Sequence, residues 1–119
     1  MFLKLNHQSL DIYQVSKKFT INCYRFTKHL PAEEKFGMTT QIRRAALSVH
    51  LNIAEGCSRK SLVERKRYYE IARGSVIEID AALDIAQEMD YFLAYDATEL
   101  GEYMVRCFQM LSRLIASDT

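Results

Sequence analysis

The feature that most constrains this chain is the helical spacing of its apolar residues, which recurs in four long stretches. Apolar residues three and four positions apart share one face of a helix. Only one proline and four glycines occur in the 119 residues, and a multi-stranded protein would need more of both for its turns and bulges. The pattern therefore predicts an all-α protein made of amphipathic helices.

Local signals mark where the helices begin and end. Ser9 is placed to cap the start of the first helix. Pro31 is expected to end this helix, because proline disfavours helical geometry in the residue before it. Gly56 is expected to be the C-terminal stop of the second helix. The predicted helices cover residues 10–28, 39–55, 61–89 and 96–116 of a single domain, 1–119.

The links between these helices are short, and two of them lead into a capping pattern. Ser61 and Glu64 form an S-x-x-E capping box before the third helix, and Asp96 and Glu99 form its acidic version before the fourth. Short links make neighbouring helices antiparallel. The sequence therefore predicts an antiparallel up-down-up-down four-helix bundle.

Each predicted helix contributes one apolar stripe to the core. A domain of this length buries roughly two-thirds of the surface that its unfolded chain exposes, so it needs no disulfide or metal crosslink. The stripes are Ile12, Val15, Phe19, Cys23 and Phe26; Ile42, Ala45, Ala46, Val49 and Ile53; Tyr69, Ala72, Val76, Ile79, Leu83 and Ala86; and Leu100, Tyr103, Met104, Cys107, Leu111 and Leu114.

The cysteines and histidines form no recognisable metal or redox motif. Cys23, Cys57 and Cys107 are far apart, and the three histidines lie at no metal-ligand spacing. We therefore expect reduced thiols, no metal and no cofactor. No signal peptide is apparent, and no apolar run approaches the roughly 20 residues of a membrane span, so we expect a cytoplasmic protein.

Two helices carry more apolar surface than one core requires. Leu47 and Leu51 lie roughly opposite the core stripe of the second helix, and Ile71 and Ile85 lie on a flank of the third. Scattered exposed apolar residues are ordinary on a monomer. Because these lie on two consecutive helices, the pattern favours a subunit interface in a homo-oligomer.

A line of polar residues follows one edge of the second helix. Its members are three or four residues apart: Gln41, Arg44, Ser48, Asn52 and Glu55. The line is either a solvated flank or a set of buried hydrogen-bonding groups between helices. A structural role is favoured over a chemical one, because no nucleophile, base and orienting group occur together in it.

Charge is strongly sorted along the chain, although the net charge is only +1. Residues 1–73 hold fourteen Lys and Arg against six Asp and Glu, a net charge of +8. Residues 74–119 hold two against nine, a net charge of −7. Such sorting suits either a phosphate-bearing partner or contact between the basic part of one subunit and the acidic part of the next.

The basic residues concentrate around the second and third helices, and a clustered basic face is what nucleic-acid binding requires. A charge run can equally be a solvated face. No zinc-finger spacing, aromatic RNA-binding motif or helix-turn-helix is present, so binding would be to the backbone. The candidate nucleic-acid-binding residues are Arg43, Arg44, Arg59, Lys60, Arg65, Lys66, Arg67 and Arg73.

An enzyme is not expected. No acid, base and nucleophile converge on a readable site. A di-metal bundle would need Glu-x-x-His pairs, which this sequence lacks. The two remaining functions are a nucleic-acid-binding accessory protein and a self-assembling scaffold or protein-interaction module.

Two runs resemble a known family. The runs read QIRRAALSVHLNIAEG from Gln41 to Gly56 and ARGSVIE from Ala72 to Glu78, and Pro31, Glu34 and Gly37 match the connector before them. They resemble the signature of bacterial four-helix-bundle proteins encoded by intervening sequences in 23S ribosomal RNA genes. The likeness extends from about residue 11 to 92, and only the amphipathic pattern agrees in the last helix.

The resemblance implies a ring-shaped homo-oligomer, pentameric in characterised relatives. It also implies kinship with accessory variability proteins of diversity-generating retroelements, which bind nucleic acid and a reverse transcriptase. Tyr13 stands where many relatives carry Trp. The signature polar positions would be structural, and no catalytic residues exist in the family to transfer. Those positions are Asn52, Glu55, Ser75 and Glu78.

Overall fold

The computed structural model describes residues 1–117, and its helices are joined by turns and irregular segments, with no strand in that range. Two short 3₁₀ turns precede the first two α-helices. The elements are a turn at Asn6–Ser9, α1 (Asp11–Thr27), a turn at Ala32–Glu34, α2 (Met38–Ser58), α3 (Leu62–Glu88) and α4 (Thr98–Ala116). Successive helices pack on one another and α4 closes against α1. The predicted all-α four-helix bundle is confirmed.

The core is formed by the predicted apolar stripes. Phe19, Phe26, Ile53, Ile79 and Leu111 are completely buried. The stripes face one another across the bundle because each helix repeats its apolar positions every three or four residues. Three of the predicted core residues are only partly buried at the edge of the core, namely Leu83, Tyr103 and Leu114.

The prediction that Ser9 caps α1 is wrong. Its hydroxyl donates to the carbonyl oxygen of Asn6 at 3.0 Å and so completes the 3₁₀ turn. Leu10 is the residue at the N-cap position, and it makes no side-chain capping bond. A short polar side chain can bond the backbone of a local turn instead of capping the next helix, and the Ser9 hydroxyl does so here.

The caps of α3 and α4 differ from each other. Ser61 is the N-cap of α3, and its hydroxyl accepts from the backbone N–H of Glu64 at 3.4 Å, which is the serine half of the predicted capping box. Asp96 lies outside α4, where its carboxylate accepts from the backbone N–H and hydroxyl of Thr98 at 3.0 and 2.6 Å. These two bonds lower the pKa of Asp96. The helix therefore begins at Thr98 rather than at residue 96.

Gly56 does not end α2, contrary to the prediction. The helix runs through it to Ser58, and Gly56 is buried against two tyrosines of α3. A Cβ at this position would lie 2.7 Å from Cε1 of Tyr69 and 3.1 Å from Cβ of Tyr68. Glycine is thus required here for close helix approach, not for a left-handed turn.

Glu34 joins the two connectors at one end of the bundle, which are the segment between α1 and α2 and the segment between α3 and α4. One carboxylate oxygen accepts from the hydroxyl of Tyr91 at 3.0 Å, and the other accepts from the backbone N–H of Met38 at 3.3 Å. Beside it, the ring of Phe92 stacks on Phe26 with centroids 4.7 Å apart. One side chain therefore joins the α1–α2 connector to the α3–α4 link.

Replacing Gly56 with alanine should destabilise the protein by about 1–3 kcal/mol, because the added methyl group overpacks the contact with Tyr69. Gly74 is the matched control, since it lies within α3 and a Cβ added there would meet nothing within 4 Å. Gly74→Ala should stabilise by about 0.5–1 kcal/mol through helix propensity. Urea unfolding measures both, and equal effects would contradict the packing explanation.

His50 connects α2 to α1 through a polar and aromatic contact. Its Nδ1 lies 2.7 Å from the hydroxyl of Ser16, and its ring packs on Tyr13 with centroids 4.6 Å apart. Burial lowers the pKa of His50, and the positive charges of Lys17 and His7 lower it further. The neutral imidazole is therefore the form that the fold favours.

Stability should fall as the pH drops from about 7 towards 5. The unfolded chain binds a proton near the ordinary histidine pKa of about 6.5, whereas folded His50 binds it only at lower pH. Acidification therefore favours the unfolded state. Thermal melts of wild type and His50→Gln across this range should show a flatter dependence in the variant, and parallel curves would contradict the assignment.

Candidate nucleic-acid interface

The fold converts the charge sorting of the sequence into two oppositely charged ends. The end of α2 and the start of α3 lie at one end of the bundle, and the end of α3 and start of α4 lie at the other. The molecule extends 43 Å along its longest axis. We call the first the basic end, comprising Arg59, Lys60, Arg65, Lys66 and Arg67, and the second the acidic end, comprising Asp84, Glu88, Asp90, Asp96 and Glu99.

Two predicted nucleic-acid-binding residues contact neighbouring helices instead of joining the basic end. Arg43 donates from Nε to the hydroxyl of Thr27 at 2.8 Å, and its guanidinium lies 5.0 Å from the ring centroid of Tyr24. Arg73 donates to the hydroxyl of Ser112 at 3.3 Å. Both side chains therefore link helices within the subunit.

Two further arginines hold the α2–α3 link in place. Arg59 donates to the carboxylate of Glu55 at 3.0 Å and to the hydroxyl of Tyr68 at 3.1 Å. Tyr68 is the main cause of a raised pKa for Arg59, followed by the hydrogen bond to Glu55. Arg65 donates from Nε to the backbone carbonyl of Arg59. These groups fix the loop that presents the remaining cations.

The cations left over have no partner among the residues that the structure describes. Lys60, Lys66 and Arg67 make no side-chain hydrogen bond or ion pair in that part of the chain, and Lys60 and Arg67 are exposed. Arg44 is also exposed and unpaired there, but it lies on α2 about 20 Å before the helix ends. Lys60, Lys66 and Arg67 are therefore the cations available to a ligand at the basic end.

Three members of the predicted polar line, Gln41, Ser48 and Asn52, make hydrogen bonds at the contact between α2 and α3. The hydroxyl of Ser75 donates to that of Ser48 at 3.0 Å, and Asn52 donates to the same oxygen at 3.1 Å and to the Ser48 carbonyl at 2.8 Å. Gln41 donates to the carboxylate of Glu78. Polar groups from both helices thus satisfy one another across the contact.

Glu55 differs from its expected place in this line. Its side chain is 54% exposed, and it pairs with Arg59 rather than with a buried donor. An exposed ion pair contributes little to stability. Glu55 directly precedes Gly56, where α2 still contacts α3, so its exposure follows from the side of α2 on which it lies and not from the end of the helix.

The predicted interface residues are exposed on the single subunit. Leu47, Leu51, Ile71 and Ile85 all retain about half of their accessible surface, with Leu51 at 55%. They lie on the outer sides of α2 and α3, which we call the outer face. Core packing therefore leaves this apolar surface uncovered.

A second apolar surface was missed by sequence reasoning. A groove of about 400 Å³ between α3 and α4, which we call the α3–α4 groove, is lined by Ile77, Asp80, Met104, Val105 and Phe108. Its signal was available, because Val105 and Phe108 lie outside the α4 core stripe and are three residues apart. The expectation of a single apolar stripe on α4 concealed it.

Three nucleophilic side chains are buried in the bundle, those of Ser16, Cys23 and Cys107. Ser16 and His50 lie within hydrogen-bonding distance, but Ser16 is completely buried and also bonds the carbonyl oxygen of Tyr13. Burial raises the pKa of both Cys23 and Cys107 to about 12. A substrate therefore cannot reach these groups in this conformation.

Metal-ligating side chains are dispersed over the described part of the molecule. Within residues 1–117, no three His, Cys, Asp or Glu side chains are grouped closely enough to hold a metal ion. No helix in the same range has the length and apolar character needed to cross a membrane.

Comparison with known proteins identifies the family. No curated protein matches the chain. The sequence model of the family described as 23S rRNA-intervening sequence protein matches residues 8–113, which includes all of α1, α2 and α3 and most of α4. The match thus extends beyond the two runs that resembled this family, into the last helix. The chain belongs to the 23S rRNA-intervening sequence protein family.

Proposed function

We propose that the protein is a non-enzymatic homo-oligomer that binds nucleic acid through its basic end, as an accessory factor. The observation that carries the proposal is the set of unpaired cations Lys60, Lys66 and Arg67, grouped within eight residues at one end of the bundle. The nearby Arg59 and Arg65 hold the loop that displays them.

The contacts would be to phosphates. Lysine and arginine that neutralise phosphates release condensed counterions, which supplies affinity without reading sequence. The basic end offers flexible cations on a short link and the first turns of a helix, with no element shaped to enter a groove. RNA and DNA are both suitable ligands under this mechanism.

Self-assembly would strengthen such binding. The outer face leaves Leu47, Leu51, Ile71 and Ile85 exposed, and apolar surface of this kind usually meets a partner. A ring, which is pentameric in the relatives that the sequence resembles, would present several basic ends to one strand. Each additional contact would then be intramolecular and would raise the avidity.

A self-assembling scaffold without a nucleic-acid role is the second candidate. The observation favouring it is the opposite charge of the two ends of the bundle. In a head-to-tail arrangement, the basic end of one subunit would contact the acidic end of the next. The two candidates differ in what the unpaired cations bind.

Nucleic-acid binding should weaken steeply with salt, by about 0.7–0.9 log units per log unit of salt for each phosphate contacted. Replacing Lys60, Lys66 and Arg67 with glutamine should lower the affinity and reduce that slope by about 2–3. Fluorescence anisotropy with single-stranded and duplex RNA and DNA of mixed sequence measures both quantities.

The matched control replaces Lys17, Arg25 and Lys28 with glutamine. These residues are exposed along α1 and just after it, and they give the same change in net charge. The control should retain the wild-type slope. An equal loss of affinity in both triple variants would show that only net charge matters and would contradict a role for the basic end. Wild-type protein that binds no nucleic acid at low salt would refute the proposal. Dissociation of the Lys60, Lys66 and Arg67 variant into monomers would favour the scaffold.

The outer face should hold the oligomer together. Light scattering at micromolar concentration should give the mass of a closed oligomer for wild type, most simply a pentamer. Leu51→Asp with Ile71→Asp should shift it to monomer, because two carboxylates would be buried at the interface.

Leu93→Asp is the control for this assembly experiment. Leu93 is a largely exposed apolar residue on the α3–α4 link, outside the two helices that carry the outer face. Its variant should keep the wild-type mass. A wild-type protein with the mass of one subunit would refute the assembly, and unchanged mass in the double variant would refute the role of the outer face.

A further inference from the structure

The segment Met1–Leu5, which we call the arm, has an unusual amount of exposed apolar surface. Four of its five residues are apolar. Phe2 is 86% exposed, and Met1 and Leu3 are also largely uncovered by the rest of the subunit. The remaining residue is Lys4, so the arm presents apolar side chains beside one cation.

The α3–α4 groove has the complementary character. Ile77, Val105 and Phe108 form apolar walls around about 400 Å³, and Val105 is 54% exposed there. Asp80 lines this groove and also an adjoining cleft of about 570 Å³, whose lining includes Asp84. An apolar groove therefore continues into a cleft that carries carboxylates.

We propose that the arm of one copy of this chain occupies the α3–α4 groove of a second copy. Phe2 and Leu3 fill the apolar part, and the ammonium group of Lys4 faces Asp80 at the boundary with the acidic cleft. Burial of the apolar side chains drives the contact, and the charge pair fixes the direction in which the arm lies.

The groove that the arm occupies belongs to another subunit, because the arm cannot reach its own. The turn Asn6–Ser9 that follows the arm packs on α1 and α2, whereas the groove lies between α3 and α4. Five fully extended residues span at most about 18 Å. The bundle measures 31 and 24 Å across its two shorter axes, so a path around it exceeds that reach.

This contact is heterologous, since it joins two different surfaces of the same chain. Repetition of such a contact generates a closed ring or an open filament. The inference rests on the self-assembly proposed above. It gives the oligomer a second contact between subunits, besides the contact made through the outer face. It does not depend on nucleic-acid binding.

The first test compares Phe2→Asp with Phe36→Asp. Phe36 is 89% exposed on the connector at the opposite end of the bundle, so the two substitutions match in residue type and exposure. Sedimentation velocity should show assembly weakened at least tenfold by Phe2→Asp and unchanged by Phe36→Asp. Equal behaviour of the two variants would overturn the inference.

The second test measures the contact directly. A fluorescent peptide with the sequence of residues 1–8 should bind the Phe2→Asp protein, and Val105→Asp in that protein should abolish the binding. Lys4→Glu in the peptide should weaken it, and Asp80→Lys in the protein should restore it. Circular dichroism checks that each variant is folded. An affinity for the peptide that is unchanged by Val105→Asp would overturn the inference.

Failure of the arm–groove contact can be distinguished from failure of the proposed nucleic-acid binding. Peptide binding at the groove, in a protein that binds no nucleic acid, would sustain the inference and refute the nucleic-acid role. Anionic phospholipid vesicles serve as a competing probe for the arm. Binding of vesicles that is lost in Phe2→Asp, with no change in assembly, would assign the arm to a lipid surface and overturn the inference.

Discussion

The close approach of α2 and α3 at Gly56 is the constraint on which the other surfaces depend. The ring of Tyr69 and the Cβ of Tyr68 occupy the space that a Cβ of residue 56 would need. This contact fixes the relative rotation of the two helices, because a larger residue would force them apart. The hydroxyls of Ser75 and Ser48 are then placed to form their hydrogen bond across the two helices. The basic end and the outer face both lie on this pair of helices, so both inherit its geometry.

The same pair shows why clustered charge in a sequence is a poor guide to a binding surface. The basic cluster of the sequence includes Arg43 and Arg73, yet each donates to a hydroxyl on a neighbouring helix. Arg59 stabilises the loop beside it through Glu55 and Tyr68. The cations without such partners are fewer and lie closer together than the sequence indicated. Because several arginines are bonded within the subunit, only the few remaining cations are left to form a charged surface at one end of the molecule.

The sequence predicted the bundle because the apolar periodicity of each helix is a property of that helix alone. Residues such as Phe19 and Leu111 are buried where the pattern places them. It misassigned Gly56 and Ser9, since a glycine needed for close packing looks the same as a glycine that ends a helix. The neighbours of Arg43, and the groove beside Val105, depend on which helices are adjacent, and that information is tertiary.

The hydrogen bond between Glu34 and Tyr91 has a consequence for how the bundle assembles. Its partners are 57 residues apart in sequence, the largest separation among the side-chain hydrogen bonds described for residues 1–117. One partner lies in the α1–α2 hairpin and the other at the end of α3, so local helix formation cannot create the bond. Closing so long a loop carries an entropic cost that only docked hairpins offset. The bond therefore requires α3 to lie beside the α1–α2 hairpin, whereas α4 closes the bundle through its separate contact with α1.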